Sequence, residues 1–400
     1  MKKRVVVTGI GIISSCGINV EETWNSLLKG QCSFVKSKYS QVNFYGEVDS
    51  KYNDLLSKKE IRYMDKTSHF ALLAAREAVK DCRIEDLQGE ETIVSIGSVL
   101  GGMETFTTEI SESAKDGMDK ITVRGMIKAL SNMIGSNISI EFGIKGGAYT
   151  YNSACASSSI AIGEAYRKIQ YGEAKIALAG GAESCIVEQV IESFSRLNTL
   201  SQSDDIKKAS IPFSKDRTGF VMGEGAAILV LEEYEHAVKR GANIYCEIIG
   251  YGVSSDAKSL VAPDLEGIKL CLNRALSDAD LRKEDIGYIN AHGTGTLAND
   301  VTEGMAINQI FDNKPYVAST KSMHGHLLGA TGALEASICC LMIKNKILLP
   351  QVNVAEDDID EEIKGINLLT DHSVEYNDKA IMSNSFGFGG DNASLIFAKI

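Results

Sequence analysis

The chain has 400 residues, 44% of them hydrophobic, which is ample for a large core built as one big domain or two. A formal net charge of -12 argues against general nucleic-acid binding, and no apolar run reaches the ~18 residues of a membrane span, so neither nucleic acid nor membrane is an expected partner. Nine cysteines with no CxxC pair and no regular spacing fit free thiols in a reducing compartment, and the cytoplasm is expected.

The first segment is a false lead twice over. Basic Met1 to Arg4, apolar Val5 to Ile13 and Ile13-Ser14-Ser15-Cys16 imitate a lipoprotein leader. Thr8, Gly9 and Gly11 break the apolar run, and a buried strand entering a glycine turn reads better. Gly9 and Gly11 also suggest dinucleotide binding, but Ser14 holds the third glycine position and Glu21 and Glu22 come too early for a ribose contact. Thr23 to Leu28 reads as a short helix closed by Gly30, and Ser57 to Asp81 as one long helix with Ser57 and Glu60 as a capping box. Lys58, Lys59, Arg62 and Lys66 form a basic cluster there, either a solvated face or a dock for an acidic partner. Thr92 to Leu100 reads as a strand running into a glycine loop, and Ile127 to Ile140 as a helix.

Ala148 to Ile169 changes period. Ala148 to Asn152 suits a strand, whereas Ile162, Tyr166 and Ile169 recur at helical spacing, with Gly172 closing the helix. Between them lies SACASSS, small residues that allow a sharp turn and close approach of a ligand. Cys155 falls at the first helical turn, where free N–H groups and the helix dipole favour a thiolate. The residues alone leave two readings open, a nucleophile or a small buried hydrophobe.

Lys175 to Ala179 reads as a strand ending at Gly180-Gly181. Strand, cysteine, helix and strand form a right-handed crossover, which predicts a parallel sheet covered by helices. Pro212 to Glu224 reads as an ordered loop before the strand Ala226 to Leu231. From about Tyr245 the pattern repeats: strand Ile286 to Asn290 leads into AHGTGT, and strand Tyr316 to Thr320 into KSMHGHLLGATG and a helix. His326 therefore stands where Cys155 stood, suggesting two α/β halves related by a pseudo-two-fold. The expected division is 1–241 and 242–400. A His324-x-His326 chelate has no third ligand that can be placed, so no metal is expected. Cys155 with His292 and His326 supplies a nucleophile and two donors, a set suited to acyl transfer. Near the end, NSFGFGG (384–390) can present a backbone N–H to an oxyanion and an aromatic ring to an acyl chain.

Six segments carry a resemblance that spans essentially the whole chain: RVVVTGIGIISSCG, SNISIEFGIKGGAYTYNSACASSS, PFSKDRTGFVMGEGA, NAHGTGTLAND, STKSMHGHLLGATGALEA and SNSFGFGGDNASL. In this order and spacing they resemble the β-ketoacyl-ACP synthases, most nearly the synthase II type. That resemblance implies a thiolase-like α/β fold of two pseudo-symmetric halves, with mixed five-stranded sheets and layered helices, and a dimer, with a homodimer first and a heterodimer as the other form. It implies decarboxylating condensation of acyl-ACP with malonyl-ACP. No cofactor is implied beyond the phosphopantetheine of acyl carrier protein, which is the implied partner.

Position by position, the resemblance makes Cys155 the acyl nucleophile, His292 and His326 the malonyl donors, and the N–H groups of Cys155 and Phe388 the oxyanion hole. Lys321 and Glu335 would support the histidines, with Asp300 and Glu303 a nearby acidic pair. Thr294 and Thr296 would hold the pantetheine arm, Phe388 would gate the site, and Phe220 and Phe386 would line it. Lys58, Lys59, Arg62, Lys66 and Arg124 would dock the carrier protein. Gly295, His324, Asp391, Val261 and Lys258-Ser259 depart from the fatty-acid pattern, which raises a second pathway, a type II polyketide or aryl-polyene-like one with a non-identical partner. Two other classes fit less well. A non-catalytic chain-length partner would lack Cys155, and a thiolase would carry a second catalytic Cys beyond Cys340.

Overall fold

A computed structural model describes residues 2–363, 365–370 and 372–400. Ten strands form the frame. The first half supplies β1 (Val5–Ser14), β2 (Thr92–Gly97), β3 (Ala148–Tyr151), β4 (Ile176–Glu183) and β5 (Gly225–Glu233). The second supplies β6 (Cys246–Ser255), β7 (Ile286–Asn290), β8 (Tyr316–Ala318), β9 (Ala380–Phe386) and β10 (Asp391–Ala398). Neighbours in space run β3-β2-β4-β5-β1 and then β6-β10-β9-β7-β8. Counted within each half, both orders read 3-2-4-5-1, so the pseudo-two-fold expected from the motifs is present in the topology.

The expectation of parallel strands holds within β3-β2-β4 and β8-β7-β9, where crossover helices intervene, and the two-residue strand Asn367–Leu368 extends the second set by pairing parallel to β8. β5 and β1 add antiparallel, as do β10 and β6. The halves meet where Val5–Val7 pairs with Cys246–Ile248. Beyond that seam the free N–H groups of Ile10 and Ile12 donate to the carboxylates of Asp81 and Glu77. These satisfy backbone donors that a buried strand cannot leave unpaired.

Three helices of each half occupy matching places. They are α1 (Lys66–Cys82), α2 (Asn132–Phe142) and α3 (Ser157–Gln170), then α4 (Leu265–Asp278), α5 (Leu297–Ile310) and α6 (Thr331–Asn345). The helices α1 and α4 cover outer faces. The helices α3 and α6 lie between the two sheets and touch both. A helix in that layer is buried on every side, which is why α6 shows no polar face: Thr331 through Ile343 are all buried. The helical spacing of Leu334, Ile338 and Leu341 predicts one apolar face, and the surrounding sheets explain the difference.

Glycines mark close approaches. A Cβ on Gly11 would meet the Ala74 carbonyl oxygen at 1.9 Å, so Gly9 and Gly11 let α1 lie on β1 rather than cradle a phosphate. The strand β4 runs on through Gly180-Gly181 to Glu183 because Gly180 backs onto the Ala227 carbonyl.

Other boundaries moved. The first helix begins at Val20, capped by the Asn19 side chain, not at Thr23. The expected Ser57 to Asp81 helix is two: Lys58–Tyr63 with the Ser57/Glu60 capping box, and α1 with Asp65 as its cap. Asp65 also binds Thr105, which holds the break. The Ile127 to Ile140 helix is likewise split into Gly125–Ala129 and α2, and the helix Met103–Asp116 carried no signal that was read.

Where α3 and α6 cross, a Cβ on Gly332 would sit 2.1 Å from Ser159 Oγ and 3.1 Å from Ser159 N. Gly332→Ala is expected to destabilise the fold by about 1–3 kcal/mol, read as a lowered urea midpoint; an unchanged midpoint would show that the crossing has slack.

Candidate active site

Both central helices are launched from the turns that carry the chemistry. At the first, Ala154 has φ 47, a left-handed conformation rare for a residue with a side chain. The Ser157 hydroxyl accepts from Ser153 N–H and donates to the Ala154 carbonyl, holding the turn. Cys155 leaves that turn two residues before α3. At the second, Gly325 at φ 77 precedes His326, whose Nε2 lies 3.1 Å from Cys155 Sγ. Its Nδ1 is 2.9 Å from Thr331 Oγ1, which orients the ring.

His292 follows β7. Its backbone N–H and that of Gly293 donate to Glu303 of α5, at 2.9 and 2.8 Å, and Asn384 of β9 donates to the same carboxylate. The His292 and His326 rings lie 5.5 Å apart, with Phe386 edge-on to His292 and Phe220 edge-on to His326. Lys321 is buried and donates to Glu335 at 2.7 Å. Thr294 and Thr296 share a hydrogen bond of 2.9 Å at the cavity wall. The cavity holds about 300 Å³ and reaches from Cys155 past Phe388 to Leu260 and Leu297 at its mouth. The sequence-predicted residues Cys155, His292, His326, Thr294, Thr296, Phe220, Phe386 and Phe388 all line it. Lys321 and Glu335 stand behind it.

The electrostatics correct one expectation. Burial pushes the Cys155 thiol up to about 12, against the opposing pull of Lys321 and of hydrogen bonds from the Cys155 and Phe388 N–H groups. Cys155 therefore rests as a thiol at neutral pH, because desolvation of the sulfur outweighs the helix-end stabilisation expected for a thiolate. Burial, reinforced by Lys321, holds His292 and His326 well below the usual histidine range, so both rings are neutral. Burial raises Glu303 and Glu335 to about 7.

The docking set also needs correction. Lys58, Lys59, Arg62 and Arg124 are exposed, and Arg62 and Arg124 both lie over the Tyr63 ring, at 5.5 and 4.1 Å. Lys66 is not part of that surface: its ammonium binds the buried Glu224 carboxylate at 2.8 Å, with 21% of its side chain exposed. A lysine at the first turn of α1 points inward because a buried carboxylate needs a countercharge.

Four participants were not read from sequence. Phe194 stacks on Phe388 and meets Phe220 edge-on. Thr331 orients His326, and its place inside HGHLLGATG five residues on was the available signal. Arg217 binds the carbonyls of Ser214 and Leu297 and the carboxylate of Asp360, and pairs with Asp300. Glu183 accepts from Val99, Leu100 and Gly329 N–H, tying the two halves together beside the site. His324 uses both ring nitrogens, on the Gly325 carbonyl and Thr320, so His324 and His326 do not chelate together.

A duplicated α/β frame with Cys, His and His meeting where the two central helices begin defines a thiolase-like condensing enzyme. The chain belongs to the β-ketoacyl synthase family: residues 2–237 match the model of the β-ketoacyl synthase N-terminal domain and 245–355 that of the C-terminal domain. It is 39% identical over 411 residues to 3-oxoacyl-[acyl-carrier-protein] synthase 2 of Staphylococcus aureus strain N315, covering 99% of this chain and 98% of that one. Among solved structures, the ishigamide ketosynthase/chain length factor superposes with a TM-score of 0.94 at 32% identity, covering 100% of both chains. A type II polyketide ketosynthase in complex with its acyl carrier protein, AntDE:AntF, gives 0.92 at 28% identity, again over 100% of both.

His324 is buried and held down to about 3, whereas in the unfolded chain it titrates near 6.5. The unfolded state thus takes up the extra proton, and stability is lost as pH falls below that value. His324→Asn should remove about 1.4 kcal/mol per pH unit from the slope of unfolding free energy between pH 6 and 5. Parallel pH profiles of urea unfolding for the two proteins would exclude this.

Proposed function

We propose that the chain condenses acyl-ACP with malonyl-ACP, releasing CO2 and forming 3-oxoacyl-ACP, as in fatty-acid elongation. The observation that carries this is Cys155 Sγ at 3.1 Å from a neutral His326 inside a cavity shared with His292. In the first half-reaction the thiol attacks the acyl thioester, its proton passing to His326 Nε2, and the carrier's thiolate leaves and is protonated. The N–H groups of Cys155 and Phe388, which both favour negative charge on the sulfur, suit the oxyanion of that step. In the second, malonyl thioester enters, and His292 and His326 hold its carbonyl as N–H donors, His326 by then in its Nε2–H tautomer with Nδ1 accepting from the Thr331 hydroxyl. Loss of CO2 leaves an enolate that their donation stabilises. The enolate carbon attacks the Cys155 thioester, and the Cys155 sulfur departs with the electron pair. Burial, with Lys321 adding to it, keeps both imidazoles neutral, the state that donates without trapping a proton. Phe388, stacked on Phe194, serves as the gate between the two steps.

Acyl carrier protein is the proposed partner, docking on Lys58, Lys59, Arg62 and Arg124. The open edge of β3, with half-exposed Tyr149 and exposed Ile140 beside it, supports pairing with a second copy. A second reading, a ketosynthase of a type II polyketide or aryl-polyene-like pathway with a non-identical partner, is favoured by the fold's likeness to the ishigamide ketosynthase/chain length factor and by Gly295.

Intact-mass measurement after incubation with acyl-ACPs of several lengths tests the core claim. An adduct on Cys155 is expected, and malonyl-ACP should then convert it to 3-oxoacyl-ACP; absence of any adduct would sink the reading. The geometry separates the two histidines. His292→Ala should acylate at a near-parent rate yet lose at least about 100-fold in condensation, whereas His326→Ala should be slow in both. Equal acylation by the two variants would overturn the proton transfer. Arg62→Glu with Arg124→Glu should raise KM for acyl-ACP about tenfold while leaving turnover of a small acyl-pantetheine thioester unchanged. A parallel loss with both substrates would remove the docking assignment.

A further inference from the structure

The three groups that face one another in the cavity have a second chemical capacity. Sγ of Cys155 and one ring nitrogen each of His292 and His326 all lie within 4.8 Å of one another, and the Cys155–His326 pair is at 3.1 Å. Tetrahedral zinc, with bonds of about 2.3 Å to sulfur and about 2.0–2.1 Å to nitrogen, sets its ligand atoms roughly 3.3–3.6 Å apart. A small closure of His292 meets that spacing.

The surroundings match those of a built site. His292 is 3% exposed, and among the described residues its ring makes no hydrogen bond to protein, so a nitrogen is available to the cavity. His326 presents Nε2 inward because Thr331 holds Nδ1, the arrangement that orients metal-binding imidazoles. Phe220 and Phe386 brace the two rings edge-on. The positive charge of Lys321, which would oppose a cation, is offset by Glu335 at 2.7 Å. Cys with two His and an open fourth position is the donor set of a soft or borderline divalent ion, not of magnesium or calcium.

We infer that the unacylated site is a three-ligand trap for a thiophilic divalent cation, zinc above all, and that its capture reversibly blocks acylation. The inference rests on the ketosynthase reading for its consequence and on geometry for the site itself. In the binding step the Cys155 S–H bond breaks, the proton passes to solvent, and sulfur and two imidazole nitrogens replace three waters on the ion. Nothing is oxidised or reduced. An acyl chain on Cys155 removes the sulfur donor, so metal and substrate exclude each other.

Cobalt(II) and zinc(II) are the probes. The full chain, stripped with EDTA, is expected to bind one cobalt with a thiolate-to-metal charge-transfer band that zinc displaces. Cys155→Ala should abolish the band, and His292→Ala should weaken zinc binding by at least about tenfold. His324→Asn, outside the cavity, should change neither. Zinc at saturation should stop adduct formation from acyl-ACP, EDTA should restore it, and chain acylated beforehand should fail to bind cobalt. Zinc binding that survives Cys155→Ala unchanged would overturn the proposal, as would acylation that proceeds at the parent rate in saturating zinc. A chain that shows the band yet never acylates in EDTA would keep the metal site and sink the ketosynthase reading instead.

Discussion

The crossing of α3 and α6 is the constraint on which the rest depends. Two helices can share the layer between the sheets only if small residues line their contact, and Ser159 of α3 and Gly332 of α6 supply them, with Ser385 of β9 against both. Because Cys155 precedes the first turn of α3 and His326 precedes α6 by five residues, the separation of the helices sets the distance between sulfur and imidazole. The Cys155–His326 contact is thus inherited from backbone packing, not built by flexible side chains. Glu183 adds a second tie at the same level, binding N–H groups from the loop after β2 and from the turn before α6.

Around that contact the site consistently favours neutrality. The thiol is raised, both imidazoles are lowered, and Glu183, Glu303 and Glu335 are all raised to about 7. The common cause is desolvation, which penalises every isolated charge in the same cavity. Charges that persist are paired: Lys321 with Glu335, Arg217 with Asp300 and Asp360. A site of this kind holds charge only where a reaction step creates it, which is the condition for hydrogen-bond donors to act strongly on an oxyanion or enolate.

Much of this was legible in the sequence, and the reason lies in spacing. Strand, small turn and helix around Cys155, and the same triplet around His326, are local patterns that a period change reveals, so the duplicated frame and the grouping of Cys155, His292 and His326 could be read before any coordinates. What failed was tertiary. The break at Asp65 depends on Thr105, forty residues away, and the inward turn of Lys66 depends on Glu224. Thiolate character at Cys155 was inferred from a local helix end, while the decisive burial comes from both halves. The parallel sheet was overcalled because a crossover unit says nothing about the strands added at its margin.

The seam between the halves bears on how the chain is made. The strand β1 is buried along its whole length, yet its partners are β5, which begins at Gly225, and β6, which begins at Cys246. At ordinary synthesis rates the first strand waits roughly 10–40 s for a neighbour to leave the ribosome. Throughout that time VVVTGIGIIS is an unpaired apolar edge, open to pairing with another nascent chain. Glu77 and Asp81 of α1 cap some of its N–H groups much earlier. The same two carboxylates keep that stretch of the edge satisfied in the finished fold, where β6 pairs only Val5–Val7.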